Sequence, residues 1–459
     1  MSNNFLLNTK TAERLYEYVK MLPIIDYHNH LSVTDICEDK RYYDIYELWI
    51  KPDPYKHRAM RMCGVDEKYI TGDEDNQVKF RKWCETVPKL IGNPLYLWTK
   101  MELDTVFGIT EMPNSENGDE IYAACNKYLK NNVVSARSLL KDFRVEYASP
   151  CVSLADDIKL FENDKMFSPS LRGDDITMLT DTFIKKLENI TGNKITDLRC
   201  FEKTVEQRLK EFLECGCIFA DHALDNGFKF YKNDGNNAAR FLAVLKGEAL
   251  KLEDKERLFS YMLEFLGEQY AKYGFVLQLH IGSMRYTSSV LREKAGAAGG
   301  FAAIGNSVDI KSLTAFLDTL DQKSTRLPKT ILFTLNPADN AMFSVLSGSY
   351  SKDGTKGLIT QGPAWWWCDH KQGIWEMLEN NASFGLLTNF VGMTTDSRSF
   401  LSFVRHDYFR RILCDFLGKK FEKNDFGCSY EDLKNIALHM CYINAKDLTE
   451  EYKKGLEKL

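Results

Sequence analysis

The sequence predicts an α/β fold: a (β/α)8 barrel of the TIM type, with a helical insertion after the first strand. Two observations predict it. From about residue 143 onward, short apolar runs alternate with helical stretches, which is the pattern of a parallel sheet. Together with an apolar run at 24–31, these runs make eight strand–helix units. Eight such units favour closure into a barrel.

The chain up to residue 142 supplies the first strand and the insertion. Residues 10–20 predict a short amphipathic helix leading into the strand at 24–31. The following hundred or so residues have helical periodicity interrupted by prolines and glycines. We interpret 33–142 as a helical insertion that caps the active site, and 1–32 with 143–459 as the barrel.

The other seven strands are predicted in the second part of the chain. Helices are expected between most of them, at 205–214 and 257–273 for example. The connection before the seventh strand is short for a barrel helix, so that strand has the least support. The last forty or so residues, after Gly418, are charged and predicted to be helical. The predicted strands are 145–150, 166–171, 217–223, 275–281, 330–335, 357–361 and 390–395.

Composition narrows the class of protein. The chain has 459 residues, of which 44% are hydrophobic and 27% charged, with a net charge of -5, as expected for a soluble enzyme. The absence of a basic block argues against nucleic acid as a partner. Twelve cysteines without a CxxC pair, and no recognisable signal peptide, predict reduced thiols in the cytoplasm. No apolar run reaches membrane-spanning length, so no membrane association is expected.

The first strand ends in a candidate metal-binding motif, His28-Asn29-His30. Side chains two residues apart on a strand share a face, so His28 and His30 can chelate one divalent ion. Imidazole ligands suit zinc and its neighbours in the transition series. The alternative is a histidine pair that only forms hydrogen bonds.

Polar residues also follow other predicted strands, where the reactive groups of a barrel gather. Asp221 and His222 must face opposite ways, and we expect the carboxylate to point inward. His280 shares a face with Gln278, which supports an inward orientation for both. Asp396 follows the last strand and is the natural third metal ligand, since two imidazoles and one carboxylate leave a coordination position open.

Two arginines and a tryptophan run are candidates for substrate binding. Arg172 and Arg398 can each fork onto a carboxylate with two parallel hydrogen bonds. The alternative for either is a surface ion pair. Trp365 and Trp366, in the run 365–367, can wall a sugar pocket, and a packing role is equally compatible with the sequence.

Beyond these patterns, the chain resembles the uronate isomerase (glucuronate isomerase) family of the amidohydrolase superfamily. The resemblance follows the chain in order over nearly its whole length. It is carried by 26–32, 55–61, 64–67, 70–72, 92–96, 107–109, 219–222, 277–282, 335–337, 364–366 and 392–400.

The resemblance implies an aldose–ketose isomerase that interconverts D-glucuronate and D-fructuronate, and D-galacturonate and D-tagaturonate, through an enediol in hexuronate catabolism. It implies a divalent metal, usually zinc, held by His28, His30 and Asp396. A small hexuronate is the expected partner, and homo-oligomerisation stays open. The resemblance leaves open whether His280 binds the metal itself or lies next to it. The residues expected to act on the substrate are Tyr55, Arg172, Asp221, His280, Asp396 and Arg398.

The chain departs from the family pattern at three positions. Pro54 precedes Tyr55 where the family has histidine, and Gly173 follows Arg172 where the family has proline. The segment 149–153, Ser-Pro-Cys-Val-Ser, replaces Thr-Thr-Asp-Asp-Pro. None of these changes affects the expected metal ligands.

Two other function classes are weighed against the isomerase. A metal-dependent hydrolase on the same barrel would often need a modified lysine at the end of the fourth strand, where this chain has Asp221. A binding protein that has lost catalysis would not need the full set of polar residues at the strand ends.

Overall fold

The computed structural model describes residues 4–161, 164 and 166–456. Within these residues the strands are β1 (Ile24–Asn29), β2 (Val145–Ser153), β3 (Ser170–Arg172), β4 (Phe219–Leu224), β5 (Val276–Ile281), β6 (Ser283–Met284), β7 (Ala303–Ile304), β8 (Thr330–Thr334) and β9 (Ile359–Gln361). Short 3-10 and π-helical turns lie between several of the α-helices.

The α-helices of the same residues begin with the predicted N-terminal helix. They are α1 (Lys10–Val19), α2 (Val33–Cys37), α3 (Pro54–Met62), α4 (Asn76–Thr86), α5 (Pro94–Phe107), α6 (Gly118–Asn131), α7 (Ala136–Asp142), α8 (Asp174–Met178), α9 (Asp181–Thr191), α10 (Leu198–Glu214), α11 (Asn237–Leu245), α12 (Leu252–Tyr273), α13 (Ser289–Ala295), α14 (Ile310–Asp321), α15 (Asn340–Leu346), α16 (Lys371–Phe384), α17 (Val404–Glu422), α18 (Tyr430–Leu438) and α19 (Asn444–Leu456).

The core of the fold is one parallel sheet with strand order β1-β2-β3-β4-β5-β8-β9. β6 and β7 form a separate antiparallel pair outside it. All residues of β1 and β5 are buried, as expected for a parallel sheet covered by helices. The α/β prediction is therefore confirmed, including the seventh predicted strand, which the structure has as the short β9.

The third strand is shorter than predicted. The sequence predicted it at 166–171, but β3 covers only Ser170–Arg172, and Phe167 forms an isolated bridge to Ala148. Pro169 lies between the two and has no N–H to donate to a ladder. The regular pairing therefore begins only after the proline.

The prediction of an eighth strand at 390–395 is wrong, because this segment has no regular strand structure. It nevertheless runs beside β1. The amide of His28 donates to the hydroxyl of Thr394 (2.9 Å), and the amide of Asp396 donates to the carbonyl of His28 (3.1 Å). The amide of His30 donates to the carbonyl of Ser397 (2.9 Å). A side-chain hydroxyl thus replaces part of the backbone ladder, while the segment still follows the first strand.

A buried carboxylate, Asp26, fixes this closing segment to β1. Asp26 is fully buried, and its Oδ1 accepts a hydrogen bond from the amide of Thr395 (2.7 Å). Its Oδ2 accepts from the Thr395 hydroxyl (2.8 Å) and from Asn29 Nδ2 (3.0 Å). His406 Nε2, on α17, lies 3.2 Å from Oδ1. A charge removed from water needs several such donors, and Asp26 has them.

Helices α2 to α7 occupy the chain between β1 and β2. α3 starts at Pro54, the preferred first-turn position of proline, and the side chain of Asp53 accepts from the amides of Tyr55 and Lys56. This cap sets the start of the helix that carries Tyr55. The division of the chain into a barrel and a capping insertion stays a prediction. In the described part of the chain, no helix is both long and apolar enough to cross a membrane.

We predict that Thr394→Val lowers the free energy of unfolding by about 1–3 kcal/mol, because the buried amide of His28 loses its acceptor. Thr360→Val is the matched control, since the Thr360 hydroxyl is buried without a hydrogen-bond partner among the described residues. Denaturant unfolding of the two variants checks this. Equal stabilities would contradict the role given to Thr394.

Candidate active site

The predicted site residues come together in one cavity of about 1060 Å³ at the C-terminal ends of the strands. The cavity is also lined by residues of α3 and of the loops after β4 and β5. The predicted residues that line it are His28, His30, Tyr55, Arg172, Asp221, His280, Trp365, Trp366, Asp396 and Arg398.

The histidine pair of β1 meets the carboxylate of Asp396. Oδ1 of Asp396 lies 3.0 Å from Nε2 of His30 and 3.4 Å from Nε2 of His28. Asp396 has a left-handed backbone conformation (φ 45°), which aspartate tolerates better than most residues. One carboxylate oxygen therefore lies near a nitrogen of each imidazole.

More potential ligands surround His28. The ligand atoms of His28, His30 and Cys151 lie within 4.8 Å of one another, and so do those of His28, Asp221 and His280. Among the described residues, Oδ2 of Asp396 and Nε2 of His280 are buried without a hydrogen-bond partner. Buried polar atoms normally have partners, so these two fit a site that receives a ligand. Imidazole, carboxylate and thiol groups are donors suited to a divalent transition metal.

The protonation of this cluster follows from its burial and its neighbours. Burial lowers the pKa of His30 to about 3, against the opposing effect of Asp396. Burial also acts to lower the pKa of His28, but Cys151 and Asp396 raise it well above its usual range. Burial would raise the pKa of Asp396, yet hydrogen bonds from the two histidines hold it well below its usual range. At neutral pH His30 and Asp396 are therefore ready to bind a metal ion, which must displace a proton at His28.

The two predicted arginines differ in their partners. Nη2 of Arg172 lies 3.2 Å from Oδ2 of Asp174, whereas no carboxylate lies within 4.0 Å of the Arg398 guanidinium among the described residues. Burial and the neighbouring charge of Arg172 lower the pKa of Arg398, although the carboxylate of Asp396 opposes this. A half-buried cation without an ion pair can take a carboxylate from a ligand.

Aromatic rings form the wall beside His280. Its ring stacks on Phe333 at 4.5 Å and meets Trp365 edge-on at 4.8 Å. The Tyr55 ring lies edge-on to Trp367 at 5.4 Å. Burial raises the pKa of Tyr55, whose hydroxyl is buried and has no hydrogen-bond partner among the described residues. Tyr55 therefore keeps its proton at neutral pH and can donate it in a hydrogen bond.

The expected orientation of the fourth strand is confirmed. Asp221 lines the cavity, whereas His222 is buried on the other face, with its Nε2 2.8 Å from the hydroxyl of Tyr270. His222 also accounts for the glycine at position 173. A Cβ atom at position 173 would lie 2.0 Å from the His222 ring.

Some residues in contact with the predicted site residues were missed by the sequence analysis. Cys151 contacts both His28 and Asp221, but a single cysteine among twelve gives no spacing signal. Arg285 follows β5 closely and lies over the Trp366 ring at 5.3 Å, with its Nε donating to Asp225 Oδ1 (2.9 Å). Its position just after a strand end was a usable signal for Arg285.

Comparisons with known proteins find one family over nearly the whole chain. A family model described as glucuronate isomerase matches residues 1–449. The uronate isomerase of Geobacillus thermodenitrificans is 40% identical over 460 residues, which cover 97% of this chain and 98% of that protein. The uronate isomerase of Caldanaerobacter subterraneus is also 40% identical, with 97% and 98% of the two chains covered.

A solved structure gives the same result for the fold. The crystal structure of a uronate isomerase from Thermotoga maritima matches with a TM-score of 0.91 at 28% identity. The match covers 98% of this chain and 99% of that chain. The similarity therefore includes the cavity as well as the sheet.

Proposed function

The chain belongs to the glucuronate isomerase family, and we propose that its cavity interconverts D-glucuronate and D-fructuronate by moving a proton between C2 and C1. One observation carries the proposal: the unpaired guanidinium of Arg398, judged among the described residues, shares a cavity with the donor cluster around His28. A hexuronate has a carboxylate at one end and its reacting carbons at the other. The guanidinium can bind the carboxylate, and the cluster around His28 can act on the reacting carbons.

We propose that Arg398 and Arg172 bind the C6 carboxylate, because guanidinium and carboxylate form two parallel hydrogen bonds. Trp365 and Trp366 wall the sugar beside them. This orientation leaves C1 and C2 for the side of the cavity that holds the histidines. This placement of the substrate is supported by the partial exposure of both guanidinium groups, which leaves them accessible to a carboxylate, and by the burial of the cluster around His28.

Removing the weakly acidic C2 proton requires a base and stabilisation of the developing negative charge. We assign proton transfer to Tyr55, Asp221, His280 and Asp396. Asp221 Oδ2 lies 4.0 Å from His280 Nδ1, so the two side chains are neighbours that do not form a hydrogen bond with each other. The Tyr55 hydroxyl can donate to a substrate oxygen.

We propose zinc as the metal, with His28, His30 and Asp396 as its ligands and His280 beside it. The contacts of 3.0 and 3.4 Å between the imidazoles and Asp396 support this set. When bound, a divalent metal supplies a Lewis acid that stabilises negative charge on a substrate oxygen. The metal-dependent hydrolase considered from the sequence is not favoured by relatives that are uronate isomerases over their full length.

Three further proposals concern the setting of the enzyme. The chain acts in the cytoplasm on a small-molecule pathway of hexuronate breakdown, which its twelve free thiols support. The helices between β1 and β2 act as a cap, supported by Pro54 and Tyr55 lining the cavity. The third proposal is that the chain forms a homo-oligomer, which light scattering of the purified protein can check.

The activity is tested by incubating the metal-loaded protein with D-glucuronate, and separately with D-galacturonate, and measuring the keto acid formed. We expect D-fructuronate from the first and D-tagaturonate from the second. No keto acid from either substrate would contradict the proposed function, and hydrolysis of an amide or ester substrate in its place would support the rival class.

Arg398→Ala should lower kcat/KM for D-glucuronate by about 100-fold or more, because a charge-assisted, bidentate contact with the substrate is lost. Its unfolding transition should match that of the unmodified protein. Arg81→Ala is the control, since Arg81 forms a surface ion pair with Asp119. Near-normal kinetics of Arg398→Ala would remove Arg398 from the site.

A further inference from the structure

We propose that Cys151 is a positioning residue, which holds the ring of His28 in the orientation and tautomer that bind the metal. The inference rests on the metal site of the proposed function. Cys151 lies on β2, next to β1, and its Sγ is 3.5 Å from Nδ1 of His28. The same sulfur donates to Oδ1 of Asp221 at 3.4 Å. A thiol thus connects the first and fourth strands inside the cluster.

The tautomer of His28 follows from the hydrogens available in the contacts between His28, Cys151 and Asp221. A thiol has one hydrogen, and the carboxylate of Asp221 can only accept. Because Cys151 donates that hydrogen to Asp221, its sulfur must accept from Nδ1–H of His28. His28 then keeps its hydrogen on Nδ1, and Nε2 is the nitrogen at which a metal ion would take the place of a proton. Nε2 is the atom that faces Asp396, 3.4 Å away.

Cys151 contacts the ring nitrogen of His28 that does not face Asp396, as the hydrogen-bond partners of metal-binding histidines do. Histidine ligands usually donate their other ring N–H to an acceptor, which fixes the ring and its tautomer. The acceptor here is a sulfur in 149–153, the segment in which the chain departs from its family pattern. Oδ2 of Asp396 and Nε2 of His280, which lack partners among the described residues, are close by, so the cluster keeps unused ligand atoms on the cavity side.

A direct metal–sulfur bond is the competing role. The ligand atoms of Cys151, His28 and His30 lie within 4.8 Å of one another, so proximity alone does not separate the two. We favour the positioning role because the sulfur already contacts two side chains of the cluster, and a metal–sulfur bond would require the thiol to lose the hydrogen that it donates to Asp221. We therefore expect no bond between Cys151 and the metal.

The test is zinc affinity, measured by competition with a chromophoric chelator on the full-length protein. Cys151→Val should weaken zinc binding by about 10- to 100-fold. Cys151→Ser, which keeps a donor and an acceptor, should stay within a few fold of the unmodified protein. Cys200→Val is the matched control, because the Cys200 thiol, on α10, is hydrogen-bonded to the carbonyl of Lys194 and not to a candidate metal ligand.

Unchanged zinc affinity in Cys151→Val would overturn the inference while leaving the metal site and the isomerase in place. No zinc binding by the unmodified protein would overturn the metal site and this inference together. If Cys151→Val does not fold, Cys151→Ala makes the same comparison with a smaller side chain.

The cobalt-substituted protein separates the two roles of the sulfur. A positioning thiol predicts an absorption spectrum without an intense thiolate-to-cobalt charge-transfer band in the near ultraviolet. Such a band in the unmodified protein, lost in Cys151→Ser, would make Cys151 a ligand and overturn the positioning role.

Discussion

The site depends on the hydrogen bonds of one buried carboxylate. Asp26 holds Thr395 through both its amide and its hydroxyl, at 2.7 and 2.8 Å. This contact fixes the end of the closing segment to the first strand, although the two share little of a regular ladder. As a result Asp396, the next residue, lies beside His28 and His30. Residues some 370 positions apart thereby form one group of potential ligands.

Around this group, the described residues leave buried polar atoms without partners and a guanidinium without a carboxylate. A buried polar atom without a hydrogen-bond partner costs about 1–3 kcal/mol of free energy. A metal ion and an acidic sugar would satisfy them. The free-energy cost of these unsatisfied groups and the affinity of the site for such ligands therefore have the same cause.

The strands of the sheet, and the faces on which their side chains lie, were largely predictable from the sequence, because both depend on local periodicity. Strand alternation predicted that Asp221 and His222 face opposite ways, and the carboxylate, which we expected to point inward, is the one that lines the cavity. The eighth strand was not predictable in the same way. Its apolar run has the composition of a strand, but side-chain bonds from Thr394 and Thr395 replace its pairing. Cys151 and Gly173 depend on contacts with distant residues, which no local pattern contains.

The central claim is that the first strand and the closing segment bind one metal between them. Anomalous diffraction from crystals of the zinc-loaded protein, at the zinc absorption edge, tests it most directly. The account predicts a single strong peak within bonding distance, about 2.0–2.2 Å, of Nε2 of His28, Nε2 of His30 and a carboxylate oxygen of Asp396. A peak bound to Asp221 and His280 without Asp396, or no peak in the cavity, would contradict it.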